Sequence, residues 1–205
     1  MPRIDQLVDL TNRHKLLSFM DAFSEYNQIL MDEDDQKNTS FVTSQRLYCY
    51  KIMPFGLKNV GATYQRLVNC MFFHRIRRNV EVYVDDMLVK SKDEANHLDD
   101  LKETFSTLRK YNMKLNPAKC VFAVASGKFL GFIVSQRGIE ANPNKVKVII
   151  EVKSPKIVKE VQSLTGKVIA LNKFVSKATD KCMPFFKVLK KAFQWTDECE
   201  ESKHL

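Results

Sequence analysis

Three aspartates stand where short apolar runs end. Asp21 closes Leu16-Leu17-Ser18-Phe19-Met20, and Asp85-Asp86 lies between Val80-Glu81-Val82-Tyr83-Val84 and Met87-Leu88-Val89. Carboxylates on rigid neighbouring strands can hold hard divalent cations. Phosphoryl transfer to a 3′-hydroxyl uses two such ions about 4 Å apart. One lowers the pKa of the attacking hydroxyl, and the other stabilises the leaving pyrophosphate and the charge of the transition state. Mg²⁺ takes one or two carboxylates and completes its shell with water and substrate phosphate. A turn exposes adjacent carboxylates without burying uncompensated charge. The tetrad Tyr83-Val84-Asp85-Asp86 by itself leaves a plain hairpin turn open, since Asp-Asp suits a surface turn. Y-x-D-D also arises by chance in on the order of one chain per hundred of this length.

The elements that must position these aspartates follow from hydrophobic period and turn chemistry. Leu16 to Met20 reads as a buried strand, and Gln28 to Met31 as a second extended piece. Asp32-Glu33-Asp34-Asp35 reads as a solvated acidic turn rather than a metal site. Thr39 to Val42 and Leu47 to Met53 read as strands around Ser44-Gln45-Arg46, broken by Pro54-Phe55-Gly56. From about Ala62 the period becomes helical through Tyr64, Leu67, Val68, Met71 and Phe72, with Arg75, Arg77 and Arg78 as a basic helix tail. The runs around Asp85-Asp86 predict a hairpin with those two residues as its turn. Ser91-Lys92-Asp93-Glu94 reads as a capping box for a helix with Leu98, Leu101, Phe105 and Leu108 on one face. Asn116-Pro117 is a turn. Val121 to Val124 and Phe129 to Val134 predict another hairpin, bent at Ser126-Gly127. Asn142-Pro143 opens a helix. Pro155 separates it from a helix striped by Val158, Val161, Leu164, Val168 and Leu171. The character changes from mixed strand and helix to helix alone near Ile139, where a boundary is expected.

Composition narrows the partners. Lysine and arginine outnumber aspartate and glutamate 33 to 24, a formal charge of +9, which suits nucleic acid or simply a basic surface. Five cysteines, an odd number without a C-x-x-C pair, fit reduced thiols in an intracellular protein better than a disulfide framework or a zinc site. The polar start Met1-Pro2-Arg3-Ile4-Asp5 lacks a signal-peptide core. No apolar run approaches the ~20 residues of a membrane span. His14, His74, His97 and His204 have no metal-ligand spacing and receive no catalytic role. No nucleophile elbow and no G-x-x-x-x-G-K-[ST] loop occurs.

A wider set of motifs carries a resemblance. Ser18-Phe19-Met20-Asp21-Ala22-Phe23-Ser24-Glu25-Tyr26-Asn27-Gln28-Ile29 resembles the first catalytic motif of Ty3/gypsy-type LTR retrotransposon reverse transcriptases. Met53-Pro54-Phe55-Gly56-Leu57-Lys58-Asn59-Val60-Gly61-Ala62-Thr63-Tyr64-Gln65 is similar to the family's template and nucleotide-pocket motif. Tyr83-Val84-Asp85-Asp86 matches its second catalytic motif, and Phe129-Leu130-Gly131-Phe132 its primer-grip hairpin. Val161-Gln162-Ser163-Leu164-Thr165-Gly166 looks like the thumb helix. Phe193-Gln194-Trp195-Thr196-Asp197-Glu198-Cys199 resembles the junction towards ribonuclease H. The motifs keep family order over essentially the whole chain.

The resemblance implies an α/β (α+β) right-hand polymerase palm with a ferredoxin-like antiparallel sheet and partial fingers, followed by a helical thumb. The palm would span 1–138, with fingers at about 28–60, the thumb 139–185, and the start of the connection 186–205. It implies an RNA-directed DNA polymerase, a nucleotidyltransferase that adds deoxynucleotides to a primer 3′-hydroxyl. Asp21, Asp85 and Asp86 would hold two Mg²⁺ ions, with Mn²⁺ as the alternative. Tyr26, Phe55 and Gly56 would border the nucleotide, Tyr26 against the sugar, although a half-buried core tyrosine is also normal there. Gly56 would let the backbone approach closely. Tyr83, Phe129, Leu130, Gly131, Gln162 and Gly166 would meet primer and template. Gln162, Gly166 and Ala170 share a helix face suited to a shallow duplex groove, or to close helix packing. Lys153, Lys156, Lys159, Lys167, Lys173 and Lys177 would meet phosphates or form a solvated face. The implied partners are an RNA or DNA template, a DNA primer, dNTPs and other Pol polyprotein segments, with no membrane. The implied location is a cytoplasmic virus-like particle or the nucleus.

Two departures support a rival expectation, an inactive remnant that still binds nucleic acid. Glu25 stands where relatives usually carry glycine, beside the nucleotide. Its repulsion of a triphosphate at about 4 Å is on the order of a few kcal/mol at intermediate dielectric. Relatives also have a longer fingers region before Asp21, so the chain reads as a piece of a polyprotein or of a decayed element. A nucleic-acid-binding module unrelated to polymerases would rest on the charge alone.

Overall fold

A computed structural model describes residues 2–11, 13–171, 174, 178–190 and 196–201. In chain order the elements are α1 (Ile4–Asp9), β1 (Leu16–Asp21), α2 (Glu33–Gln36), β2 (Phe41–Val42), β3 (Leu47–Tyr48), α3 (Val60–Met71), β4 (Val80–Tyr83), β5 (Asp86–Ser91) and α4 (Glu94–Lys110). Then come β6 (Val121–Val124), β7 (Ser126–Phe129), β8 (Phe132–Ser135), β9 (Gly138–Ala141), α5 (Pro143–Ile150), α6 (Val158–Ile169), α7 (Ala178–Lys190) and α8 (Asp197–Glu201). The chain divides into two units, Met1–Ile139 and Glu140–Leu205. Lys173, Lys177, His204 and the Phe193, Gln194 and Trp195 of the junction motif lie outside the described residues.

The first unit is built on an antiparallel sheet in the order β4-β5-β1-β6. Strand alternation sends Met20, Val80, Val82, Met87 and Val89 to one face, where α3 (Tyr64, Val68, Met71) and α4 (Leu101, Leu108) cover them. The opposite face carries Leu17 and Leu88 and packs against α1 (Leu7, Val8), Phe129 and Val134. Glu81 and Lys90 alternate onto this second face as a buried ion pair at 2.8 Å, with Lys90 Nζ also donating to Leu10 O. The second unit has its own core, in which Val161, Leu164 and Val168 of α6 meet Phe185 and Val188 of α7 and Ile149 of α5. Asn142 caps α5 by accepting from Asn144 N, with Pro143 at the first helical position. Among the described residues no helix is long and apolar enough to cross a membrane, and all five cysteines are free.

Several expected elements move, each for a physical reason. The acidic run is not a plain turn: Asp32 accepts from Asp34 N and caps the short helix α2. Gln28 belongs to a 3₁₀ turn, Glu25–Gln28, and Leu30 makes a single bridge with Ile52. β2 and β3 are two residues each. Helix α3 starts at Val60 and stops before the arginines, and Arg75 is buried, donating to Asp100 O and Thr104 Oγ1 at 2.9 Å. Ser91 ends β5 rather than capping α4, whose N-cap is Asp93. Leu98 and Val158 lie exposed, and His97 takes the inward place beside Leu101. Gly127 is inside β7, not at a bend. The bend is Leu130-Gly131, with φ of 51° and 84°, between paired Phe129 and Phe132. Two left-handed residues make the primed turn that matches strand twist. β6 instead pairs with β1.

Candidate active site

β1 and β5 run antiparallel in a register that sets Asp21 directly across from Asp86. Both side chains share the sheet face of Leu17 and Leu88. The hairpin turn is Val84-Asp85, one residue earlier than the pattern of apolar runs suggested, because Tyr83 pairs with Asp86. This shift places Asp86 in a strand and Asp85 on the turn. Ala22 N donates to Asp85 O at 3.4 Å, tying the turn to the end of β1.

The turn is strained and held from below. Val84 has φ +53°, an uncommon conformation for a β-branched residue. Only the first central residue is left-handed, as in a II′ turn. The buried Gln65 of α3 clasps it: Val84 N donates to Gln65 Oε1 at 2.8 Å, and Gln65 Nε2 donates to Val82 O at 3.3 Å and Asn69 Oδ1 at 3.0 Å.

Electrostatics mark the cluster as acidic. Burial first, and then the charges of Asp85 and Asp21, raise the pKa of Asp86 to about 6 against the opposing charge of Lys119. Glu25 is half-buried, and its pKa is raised by burial, then by Asp85 and Asp21. The counter-charge is Lys119 on the 3₁₀ turn Pro117–Lys119, whose Nζ lies 3.2 Å from Asp21 Oδ2. Asn116 N donates to Asp21 O at 2.9 Å.

Among the described residues no group of three or more His, Cys, Asp and Glu side chains is gathered closely enough to hold a metal ion. The donor set still suits Mg²⁺, which needs one or two carboxylates from protein. Asp21 and Asp86 supply hard oxygens from opposed strands, and the exposed Lys119 ammonium offsets part of their mutual repulsion.

Tyr26 is half-buried, with its ring edge-on to Phe55 at 5.1 Å and to Tyr64 at 5.7 Å. Phe55 is exposed. Gly56 is required by its φ of +94°, not by crowding: a Cβ there would meet nothing within 4 Å. Tyr83 is half-buried opposite Asp86. Phe129 is buried, with Leu130-Gly131 at the hairpin tip. In the second unit Gln162 and Gly166 are exposed on one face of α6, and Ala170, the C-cap of that helix, is exposed as well. A Cβ on Gly166 would meet nothing within 4 Å, so among the described residues this glycine serves no close helix packing.

Sequence reasoning missed Gln65, Lys119 and His97. Gln65 ends a quoted motif and shows only an i, i+4 relation to Asn69. Lys119 has no periodic signal at all.

A family model described as reverse transcriptase (RNA-dependent DNA polymerase) matches residues 1–134. The chain is 33% identical over 191 residues to the retrovirus-related Pol polyprotein from transposon 297 of Drosophila melanogaster, covering 93% of this chain and 18% of that one. It is 32% identical over 204 residues to that from transposon 412 of the same fly, covering 98% and 16%. The transposon Tf2-3 polyprotein of Schizosaccharomyces pombe is 28% identical over 195 residues, covering 95% and 15%. The chain thus spans less than a fifth of these relatives. Its fold is similar to that of foamy viral protease-reverse transcriptase. Against a complex with double-stranded DNA the TM-score is 0.89 at 23% identity, over 99% of this chain and 37% of that one. Against a complex with an RNA/DNA hybrid it is 0.83 at 24% identity, over 96% and 27%.

Proposed function

The chain belongs to the reverse transcriptase family, and from that premise we propose that it is the palm and thumb of the polymerase of a Ty3/gypsy-type LTR retrotransposon Pol polyprotein. Its reaction is addition of deoxynucleotides to a primer 3′-hydroxyl on an RNA or DNA template, with release of pyrophosphate. The first unit is read as palm with partial fingers and the second as thumb. The observation that carries this reading is the opposition of Asp21 and Asp86 across β1 and β5, with Asp85 on the adjoining turn.

Asp21, Asp85 and Asp86 would hold two Mg²⁺ ions, or Mn²⁺. Such ions, when bound, would supply Lewis-acid activation of the 3′-hydroxyl and counter-charge for the phosphates. The chain's own residues do the rest. Gln65 fixes the turn that aims Asp85. Tyr26, braced by Phe55 and Tyr64, offers a ring edge to the deoxyribose. The Phe129-Leu130-Gly131-Phe132 turn contacts the primer. Gln162, Gly166 and Ala170 offer a smooth face to the duplex, with Lys153, Lys156, Lys159 and Lys167 near phosphates. Likeness to polymerases solved with RNA/DNA hybrid and double-stranded DNA supports such partners.

The test is primer extension on an RNA template with labelled deoxynucleotides and Mg²⁺. The chain should extend the primer, and Asp85→Asn or Asp21→Asn should abolish extension. Activity retained in either variant would sink the assignment.

One observation favours a second reading, an inactive remnant that only binds nucleic acid. Glu25 lies within the field of Asp85 and Asp21, where it would repel a triphosphate. Extension that appears only in Glu25→Gly would establish it.

A further inference from the structure

His97 on α4 is buried, and its two ring nitrogens meet hydroxyls from different strands. Nε2 lies 2.8 Å from Ser18 Oγ of β1, and Nδ1 lies 2.8 Å from Ser91 Oγ of β5. The direction of each bond is set by the partners beyond. Ser91 O–H donates to Asp100 Oδ2, a carboxylate oxygen that can only accept. Ser91 Oγ therefore accepts from His97 Nδ1–H. The neutral ring then offers Nε2 as an acceptor, and Ser18 O–H donates to it. Ser18 Oγ in turn accepts from Ala123 N at 3.0 Å. Asn79 Nδ2 donates to the other oxygen of Asp100. Burial lowers the pKa of His97 against the opposing pull of Asp100, which keeps the ring neutral.

This Ser–His–Asp order is no hydrolytic triad, because both hydroxyls are buried and committed within the chain of bonds. Its ends are what matter. Ala123 sits at φ +53°, where the pairing of β6 with β1 shifts register between Leu17 and Phe19. An extra residue in one strand re-aims the residues beyond it. On the acid-cluster side of this bulge lie the bridge between Ala22 and Leu115, the bond from Asn116 N to Asp21 O, and the Lys119–Asp21 ion pair. Ser18 lies on the strand that ends in Asp21, and Ser91 on the strand that begins with Asp86.

We propose that His97 is a positioning residue of the active site: as the Nδ1–H tautomer it joins Ser18 to Ser91, pins the β6 bulge at Ala123, and so sets the register at which Asp21, Asp86 and Lys119 meet. Its effect on metal rests on the reading of that cluster as the metal site.

The test combines amide hydrogen exchange with Mn²⁺ titration followed by electron paramagnetic resonance, on the whole chain and on His97→Leu, His97→Gln and Ser18→Ala. In His97→Leu the amides of Ala123, Ala22 and Asn116 should exchange about tenfold faster or more, while the core of α3 stays protected. Mn²⁺ should bind about tenfold more weakly. His97→Gln, whose carboxamide oxygen can accept from Ser18, should restore protection at Ala123. Ser18→Ala removes one hydroxyl and should reproduce the loss at Ala123, which keeps the test available if His97→Leu does not fold. Unchanged exchange at these amides, or uniform acceleration across the sheet with unaltered Mn²⁺ affinity, overturns the proposal. Wild-type chain that binds no Mn²⁺ defeats the metal reading instead, and the exchange pattern then judges the positioning role alone.

Discussion

The Gln65 carboxamide oxygen accepts a hydrogen bond from Val84 N at 2.8 Å, so a helix side chain fastens the strained residue that precedes Asp85. Gln65→Leu leaves that buried N–H unpaired, a loss of about 1–3 kcal/mol. The expected result is a lower midpoint in urea unfolding. Primer extension should fall at least about tenfold, through kcat more than through nucleotide KM. Unchanged kcat in a folded Gln65→Leu protein would mean the turn holds itself.

Lys119 stands on Asp21 where a metal cation would compete. Its ammonium is exposed, so the competition is modest. Lys119→Met should tighten Mn²⁺ binding by about two- to fivefold at low salt, with the difference shrinking at high salt. Titration at two ionic strengths measures both effects. Weaker binding in the variant would show that Lys119 assists the metal instead.

Gly127 lets β7 cross the ring of Phe19. A Cβ at this position would fall 2.2 Å from Phe19 Cε2. Gly127→Ala should therefore destabilise the chain by on the order of 1–3 kcal/mol. Phe19→Leu in the same molecule should recover most of the loss, which a double-mutant cycle by chemical denaturation would show.

Stability without metal should fall as Asp86 ionises. Its folded value, about 6, is raised above the ordinary 3.8. The folded state thus holds this proton more tightly than the unfolded chain. The associated stability is complete below the unfolded value and is lost as pH rises through the folded one. In chelator, melting temperatures between about pH 4 and about pH 7 should decline more steeply for the wild type than for Asp86→Asn. Parallel profiles would place the strain elsewhere.

Local pattern carried much of the fold. The apolar runs ending in Asp21 and flanking Asp85-Asp86, the helical period through Tyr64 and Val68, and the Asn142-Pro143 helix start are short-range features. Each is written within a few residues, so periodicity and capping chemistry reveal it. The opposition of Asp21 to Asp86, by contrast, joins strands far apart in sequence. Tertiary pairing also placed the turn at Val84-Asp85, since Tyr83 opposes Asp86 and Gln65 compensates a left-handed valine that local propensity disfavours. Likewise β6 leaves its neighbour β7 to pair with β1, and a histidine without any ligand spacing becomes the link between two strands. By itself the sequence determined which residues are apolar, acidic or turn-forming, and hence the elements and the family motifs. Only the tertiary structure decided register, the partner of each buried polar group and the counter-charge on Asp21, because those depend on contacts that no local window contains.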